Sequence, residues 1–334
     1  MRAKYFNDGI IGNAKMTASF SKTGELLRLF YGSADYKQFI DTFHTAVKVN
    51  DSASIYLHDD INNLYKQEYV KNTNILQTEI INTYFNLRVL QTDFISTKEN
   101  ILVKNYKISN NSKIDLRLDF LVYSKVLSNL NNDTSGYIKE DTLIQYNHDY
   151  SVCIFSKEKL LSKQINGVTN NFAGGEIGGK DYIGMSSDSG ISYDLKVVKP
   201  GEEISFNLYI YINNNSEKCL LNELDNEIDR IRKIDMKKMQ EDLEKYWLKY
   251  LKEHDKLLVN KKDISEKVKK IYNRTILLFP MLINKETGGI SAGVEIDEEK
   301  TRCGRYSYCW PRDAVFITRA FDVLRNEWRN WKIL

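Results

Sequence analysis

Ile204-Ser-Phe-Asn-Leu-Tyr-Ile-Tyr-Ile212 alternates an apolar residue with a polar or aromatic one along its whole length. Successive side chains of a strand point to opposite faces, so this period of two predicts a β-strand with one buried face. The second face carries Tyr209 and Tyr211, which favours a strand that is covered on both sides. Residues 114–122 repeat the alternation and predict another strand.

Short polar turns separate the alternating runs. Lys22-Thr-Gly24 stands between residues 16–20 and 26–30, while Asn110-Asn-Ser112 and Lys199-Pro-Gly201 precede the two strands above. Gly, Pro, Asn and Ser at these points are turn-forming residues. Many strands joined by short turns, with no helical period between them, predict an antiparallel β-sandwich over residues 1–221.

The segment between Gly167 and Gly190 is rich in glycine and includes Ala173-Gly-Gly-Glu-Ile-Gly-Gly179. A phosphate-binding loop would need a preceding strand, a following helix and usually a Lys-Ser/Thr pair close behind. Lys180-Asp-Tyr-Ile-Gly184 supplies none of these. We therefore predict a long loop of the sandwich.

Composition excludes several classes of function. Hydrophobic residues make up 42% and charged residues 28% of the 334, as in soluble globular proteins, and the net charge is +3. The lysines are scattered among nearly as many acids, so we expect no nucleic-acid partner. No secretory signal and no run of about 18 apolar residues is present, which predicts a cytoplasmic protein with no membrane partner.

Cys303 and Cys309 lack a CxxC pair and a nearby His. We therefore expect buried thiols, no metal and no cofactor.

Helical patterns begin after the sandwich. Residues 222–260 are dense in charge and keep roughly helical apolar spacing, interrupted between Ile231 and Met239, which predicts a linker helix along a domain boundary. A membrane-surface or partner-binding helix is less favoured, because the polar face is not strongly basic. Asp263-Ile-Ser-Glu266 is a capping-box pattern that starts a second helix. Pro311 starts a third, with Phe316, Ala320 and residues 323–324 on its buried side.

Tyr306-Ser-Tyr-Cys-Trp-Pro-Arg-Asp-Ala314 combines aromatic residues with an adjacent Arg and Asp. Aromatic faces beside a charged pair can hold a sugar ring by its hydroxyl groups. The alternative is ordinary helix-start chemistry, because Pro suits the first helical position and an acid complements the helix dipole.

This stretch, together with Gly288-Gly-Ile-Ser-Ala-Gly293 and Thr301-Arg-Cys-Gly-Arg305, resembles the start of the catalytic domain of family 15 glycoside hydrolases, the glucoamylases and glucodextranases. Asn7-Asp-Gly-Ile-Ile-Gly-Asn-Ala-Lys-Met16 and Gly24-Glu-Leu-Leu-Arg-Leu29 are similar to the opening of bacterial members. The resemblance implies a β + α multidomain protein. It would contain an antiparallel β-supersandwich (1–221), a linker helix (222–260) and the first helices of an incomplete (α/α)6 barrel (261–334).

The resemblance also implies a binding site. Tyr306 and Trp310 would line the subsite for the non-reducing terminal glucose, and Arg312 and Asp313 would hydrogen-bond its 4- and 6-hydroxyls. Tyr308 could lie in this wall or behind it. The reaction implied is inverting hydrolysis of an α-glucan or oligosaccharide, with glucose released from the chain end. It needs a general acid and a general base.

In the family both catalytic groups are glutamates on later loops, so we expect no catalytic residue among these 334 and no activity of this polypeptide alone. The last ten residues depart from the family after residue 324, which suggests a truncated gene product. The alternatives are a non-catalytic carbohydrate-binding or structural sandwich, and one part of a split glucosidase whose partner is a downstream fragment. A sugar phosphorylase is less favoured, since no phosphate site is seen. Linkage specificity (α-1,4, α-1,6 or trehalose) stays open.

Overall fold

The computed structural model describes residues 7–13, 15–31, 38–52, 54–126, 135–146, 150–179, 183–185, 188–214, 221–254, 264–284, 287–294, 306 and 308–324. Within them, strands are followed by helices. The strands are β1 (Gly9–Gly12), β2 (Met16–Phe20), β3 (Leu26–Tyr31), β4 (Ile40–Val49), β5 (Ser54–Tyr56), β6 (Asn63–Tyr69), β7 (Leu76–Asn82), β8 (Leu87–Ile95), β9 (Ile101–Asn110), β10 (Leu116–Val126), β11 (Ser135–Lys139), β12 (Thr142–Tyr146), β13 (Tyr150–Phe155), β14 (Ser162–Ile165), β15 (Ile183–Met185), β16 (Ser189–Val198) and β17 (Glu203–Asn214). The helices are α1 (Thr169–Phe172), α2 (Leu221–Arg232), α3 (Met236–His254), α4 (Glu266–Leu282) and α5 (Pro311–Val323).

The strands form antiparallel sheets, with orders β14-β16-β10-β4-β5, β15-β11-β12-β13-β17-β9-β8-β7-β6 and β1-β2-β3. The main hydrophobic core contains residues from all three sheets. Phe120 of β10 lies 4.7 Å from Tyr106 of β9 and 4.6 Å from Phe206 of β17, measured between ring centroids. These contacts join the five-stranded sheet to the nine-stranded sheet. This β-sandwich followed by helices is the architecture that the alternating runs predict.

The predicted turns are confirmed in detail. Gly24 and Gly201 have φ of +83° and +80°, a left-handed conformation that glycine adopts without steric cost. Asn110 Oδ1 accepts a hydrogen bond from the backbone N–H of Ser112 at 2.9 Å, closing the third turn. The predicted strand over 114–122 is wrong at its start. It begins at Leu116, and Ile114 is 60% exposed in the preceding turn.

The outer face of the nine-stranded sheet is covered by helices. Tyr209 and Tyr211 are buried in a second hydrophobic cluster, which also contains Leu243 and Trp247 of α3 and Ile276 of α4. The prediction that this strand is covered on both faces is therefore confirmed. No helix in the described ranges is both long enough and apolar enough to cross a bilayer.

The segment predicted as one linker helix, 222–260, contains two helices. Helix α2 ends at Arg232 and α3 begins at Met236. Asp235 Oδ1 caps α3, because it accepts hydrogen bonds from the N–H groups of Lys237 (3.0 Å) and Lys238 (3.2 Å). The break falls within the interrupted apolar spacing between Ile231 and Met239. Residues 255–260 lie outside the described ranges.

Helix α4 begins at Glu266, with Ser265 as its N-cap. The Ser265 hydroxyl accepts a hydrogen bond from Val268 N–H at 3.4 Å. Asp263, the cap that the capping-box pattern predicts, lies outside the described residues. The described cap is therefore Ser265, the third residue of that pattern.

Arg274 fastens α4 to the sandwich. Its guanidinium donates hydrogen bonds to Ile10 O (2.9 Å), Asn74 Oδ1 (2.6 Å) and Thr73 O (3.3 Å). The same group lies 3.7 Å from the centroid of the Tyr69 ring, in a cation–π arrangement. One side chain thus joins the helix to β1, to β6 and to the segment before β7.

Helix α5 buries Phe321 and Leu324, and the Phe321 ring lies 4.6 Å from the ring of Phe279 on α4. The prediction that Phe316 is buried is wrong, since it is 66% exposed. At about 100° per residue, Phe316 lies roughly 140° around the helix from Phe321. It lines an apolar groove of about 370 Å³ between α4 and α5, whose other residues are Tyr272, Thr275, Ile276, Phe279, Arg319, Ala320 and Leu324.

A buried polar cluster lies inside the sandwich. Lys104 Nζ of β9 is 2.7 Å from Asp93 Oδ1 of β8, and both side chains are fully buried. Gln91 Nε2 donates to Asp93 Oδ2 at 2.6 Å and to Gly24 O at 2.9 Å. Burial raises the pKa of the Asp93 carboxyl and lowers the pKa of the Lys104 ammonium, while their mutual attraction opposes both shifts. Gln91 thus links the pair to the turn at Gly24.

His58 lies close to this pair. Its Nδ1 is 2.7 Å from Thr23 O, a pure acceptor, so Nδ1 carries the proton and Nε2 accepts from Thr45 Oγ1 at 3.2 Å. Burial is the main reason that the pKa of His58 falls to about 3, and the charge of Lys104 acts in the same direction. The imidazole is therefore neutral in the folded protein.

We expect acidification to destabilise the fold through His58. Its folded pKa lies below the unfolded value of about 6.5, so this contribution is complete above pH 6.5 and is lost as pH falls towards 3. Between pH 6.5 and 5 the loss should be about 2 kcal/mol. Urea unfolding at both pH values measures it. His58→Gln should reduce the difference. An unchanged pH dependence in His58→Gln would contradict the assignment.

Candidate functional site

Tyr306 and Trp310 lie beside each other before α5. Their ring centroids are 6.5 Å apart with 41° between the ring planes. Tyr306 is 43% exposed and Trp310 42% exposed. Two tilted rings that remain open to solvent give an apolar wall with polar atoms at its edges. Tyr308 is also exposed.

Arg312 and Asp313 form an ion pair in the first turn of α5. Arg312 Nη2 donates to Asp313 Oδ2 at 3.0 Å, with 68% of the Arg312 side chain and 24% of the Asp313 side chain exposed. An exposed pair of this kind contributes little to stability. Asp313 is the one partner of Arg312 among the described residues, so most of the five guanidinium donors can reach a ligand. Among the described residues, neither charge is paired with a group in the interior of the fold.

Local sequence explains how the helix starts. Pro311 occupies the first position of α5, after Trp310 as its N-cap, and no side chain caps the helix. Ala314 N donates to Trp310 O at 2.9 Å. The helix-start explanation therefore accounts for Pro311 and for the acid at 313. It gives no role to Arg312 or to the exposed rings.

The glycine-rich segment 287–294 supports the aromatic residues. Gly293 N donates to Tyr306 O at 2.9 Å, and Ala292 N donates to Tyr308 O at 3.2 Å. Ser291 N donates to Leu282 O at 2.8 Å, which ties the segment to the last residue of α4. The two motifs that together carry the family resemblance are thus in direct backbone contact.

Asn7 and Arg28 support this segment, although no sequence pattern predicts a role for either. Asn7 Nδ2 donates to Val294 O at 3.1 Å, and Arg28 Nη1 donates to Asn7 Oδ1 at 3.1 Å. Arg28 is fully buried. Both residues belong to the N-terminal runs that resemble bacterial family members. That resemblance is the one signal in the sequence that points to these residues, because no local pattern connects Asn7 with Val294.

The prediction of a buried thiol at Cys309 is wrong, because Cys309 is an exposed free thiol. Cys153, for which no role was predicted, is buried in the core. Cys309 is exposed because it stands in the surface loop between the two rings. Cys303 and Arg305 lie outside the described residues. In the described ranges, no group of three or more His, Cys, Asp and Glu side chains could hold a metal ion.

The four predicted side chains are suited to binding a sugar. It offers aromatic faces, guanidinium donors and a carboxylate acceptor, which match the hydroxyl groups and the C–H face of a sugar ring. Asp313 is the one carboxylate among the four predicted site residues. Inverting hydrolysis needs two carboxyl groups about 6.5–9.5 Å apart.

No protein-family model matches the chain, and no curated protein matches it in sequence. Among solved structures, a bacterial glucoamylase complexed with acarbose aligns with 96% of this chain at a TM-score of 0.74 and 14% sequence identity. The chain spans 48% of the glucoamylase's length. A protein described as a kojibiose phosphorylase, from the human microbiome, aligns with 72% of this chain and 35% of its own at a TM-score of 0.53 and 10% identity. The chain therefore shares its fold with the corresponding parts of these two proteins.

Proposed function

We propose that this chain belongs to a glucoamylase-like glycoside hydrolase. In this proposal Tyr306, Trp310, Arg312 and Asp313 hold the non-reducing terminal glucose of an α-glucan. The observation that carries it is the exposed Arg312–Asp313 pair beside two tilted rings, on a fold that a bacterial glucoamylase shares over 96% of this chain.

The recognition chemistry follows from these four side chains. Arg312 donates to one sugar hydroxyl and Asp313 accepts from its neighbour, and charge-assisted bonds of this kind are stronger than neutral ones. The rings exclude water from one side and so strengthen the bonds. A site that binds the 4-hydroxyl of a terminal residue admits a chain end, which explains exo-action. The substrate class is an α-glucan or oligosaccharide.

Cleavage requires carboxyl groups beyond these four residues. The general acid protonates the leaving oxygen, and the general base activates water on the opposite face of the sugar. Asp313 cannot serve as both. We therefore expect the purified 334-residue polypeptide to bind sugar but to release no glucose from maltose or starch.

The likeness to a phosphorylase fold is weaker, and no described residue cluster favours a phosphate site. A non-catalytic carbohydrate-binding protein, and one part of a split glucosidase, would share the binding step. A split enzyme would gain hydrolysis when the complementary fragment is added, whereas a binding protein would not.

The binding step can be tested with acarbose and maltotriose. We expect Asp313→Ala to weaken binding at least tenfold, because loss of a hydrogen bond to a charged group costs about 1.5–3 kcal/mol. Isothermal titration calorimetry measures the dissociation constant. Quenching of Trp310 fluorescence reports contact, and it should disappear in Trp310→Phe.

Asp322→Ala is the matched control, since Asp322 is an exposed acid on the same helix. It should leave the affinity unchanged. Equal affinity in Asp313→Ala and wild type would contradict the proposed role of this residue. Glucose release that persists through stringent purification would contradict the expected inactivity.

A further inference from the structure

A second concave site lies on the sandwich, away from the aromatic residues. It is a cleft of about 480 Å³ on the outer face of the five-stranded sheet. Asp119 of β10 and Ser192 of β16 face the cleft, while their neighbours Phe120 and Tyr193 face the main core. Small-molecule sites have volumes of about 300–1,000 Å³. The cleft is lined by Lys48, Asp119, Leu121, Leu161, Ser162, Asn171, residues 175–178 and Ser192.

The glycine-rich loop forms one wall of this cleft. Its short helix α1 is anchored on the sheet, because Val168, Phe172 and Ile177 form a hydrophobic cluster with Leu121 and Tyr123. The glycine-rich segment, for which the sequence predicts only a long loop, is therefore held in place on the sheet by hydrophobic contacts.

Buried side chains fix the position of the loop. Gln164 is 7% exposed, and its Oε1 accepts hydrogen bonds from Asn171 Nδ2 and from Gly178 N, both at 3.3 Å. Gly175 has φ of +70°, and a Cβ at this position would lie 2.7 Å from Ser54 Oγ and 2.8 Å from Lys48 Cδ. Glycine adopts this left-handed conformation without steric cost, whereas a larger residue would be strained and would press on the Ser54 and Lys48 side chains.

The cleft contains a polar atom without a partner in the described part of the chain. Asp119 Oδ1 is buried and has no hydrogen-bond partner among the described residues. Buried polar atoms are nearly always paired, so this one needs an explanation. Burial is the main reason that the pKa of Asp119 is raised. A hydroxyl group that donates to this carboxyl would offset its desolvation.

Charge and shape indicate the class of ligand. Lys48 is the one cation in the lining, and it faces Asp51 at 4.0 Å, whereas Asp119 and Glu176 are acids in the lining. An excess of carboxylates disfavours phosphate and other anions. Leu161 is 49% exposed and lies in the lining with Asn171 and Ser162, while Leu121 and Ile177 are largely buried behind it. This mixture suits a neutral molecule with several hydroxyl groups on a compact carbon ring.

We propose that the cleft formed by Asp119, Asn171, Ser162, Lys48 and the loop at 175–178 binds a neutral sugar residue. This site is separate from residues 306–313 and does not depend on the function proposed for them. It would give the sandwich a carbohydrate-binding role of its own and hold a second part of a glycan, or a second glycan.

The experiment uses the purified chain with maltotriose, isomaltotriose, cellotriose and inorganic phosphate as probes. Hydrogen-exchange mass spectrometry at saturating probe locates the site. We expect at least one of the sugars to protect peptides that cover residues 117–121 and 171–178. Absence of this protection with all three sugars overturns the proposal. Stronger protection by phosphate than by any sugar overturns the ligand class.

Affinity measurements identify the residues. In an Asp313→Ala background, Asp119→Asn should weaken the remaining sugar binding at least tenfold, whereas Asp115→Asn, at an exposed acid before the same strand, should not. Asn171→Ala is the second variant, and circular dichroism confirms that each variant is folded. Binding that is insensitive to both Asp119→Asn and Asn171→Ala overturns the proposal. The two variants report on different sites. Weaker sugar binding in Asp313→Ala alone tests the function proposed for residues 306–313, whereas the further loss caused by Asp119→Asn tests the cleft.

Discussion

Lys104→Met should destabilise the protein by about 3–5 kcal/mol, because it leaves the Asp93 carboxylate buried without its cation. Both side chains are fully buried, so water cannot replace the lost partner. The Gln91 amide is the one hydrogen bond that remains to the carboxylate among the described contacts. Urea unfolding at pH 7 measures the free energy of unfolding.

Two variants test the cause. Lys104→Met combined with Asp93→Asn should recover most of the lost stability, since the asparagine carries no charge and its oxygen can still accept from Gln91 Nε2. Lys107→Met, at an exposed position of the same strand, should change stability by less than about 0.5 kcal/mol. If the double variant were as unstable as Lys104→Met, lost packing rather than the unpaired charge would be the reason.

Trp247→Ala should cost about 3–5 kcal/mol, the range for removing a large buried aromatic side chain. Trp247 is 1% exposed, and its ring makes edge contacts with Tyr246 (4.9 Å) and Tyr250 (5.7 Å). It belongs to the cluster that joins α3 to the nine-stranded sheet. Thermal and urea unfolding both measure the loss.

Leu248→Ala is the matched control on the same helix, because Leu248 is 49% exposed. Its cost should stay below about 1 kcal/mol. A cost for Trp247→Ala as small as that of the control would mean that α3 is not packed on the sheet. Helix α3 would then link the chain segments on either side of it without stabilising the nine-stranded sheet.

Local patterns in the sequence predict the strands and turns well, because period-two alternation and turn-forming residues act over a few positions. Contacts between distant residues decide where the helices break and which helix faces are buried. The capping acid Asp235 divides the predicted linker helix, and the sequence offers only an interrupted spacing as its signal. The pattern of Phe316 with Ala320 and residues 323–324 predicts a buried face, yet Phe321 and its contact with Phe279 decide which face of α5 is buried.

The candidate site shows the same division. Residues 306–313 are close in the chain, so their proximity could be predicted from the motif alone. The backbone pairing with residues 292–293 and the support from Asn7 depend on long-range folding. The cleft beside Asp119 was not predictable, since its lining comes from four strands and a loop whose glycines suggest flexibility.

The contacts of Arg274 carry a consequence for the order of assembly. Its hydrogen bond to Ile10 O joins positions that are 264 residues apart. Closing so long a loop is entropically unfavourable before other contacts have shortened it. Because β1 lies near the start of the given sequence and α4 near residue 274, β1 is also synthesised long before α4. We expect the sandwich to condense first and α4 to dock late, so an Arg274 variant should refold its sheets at the normal rate and lag in the final step.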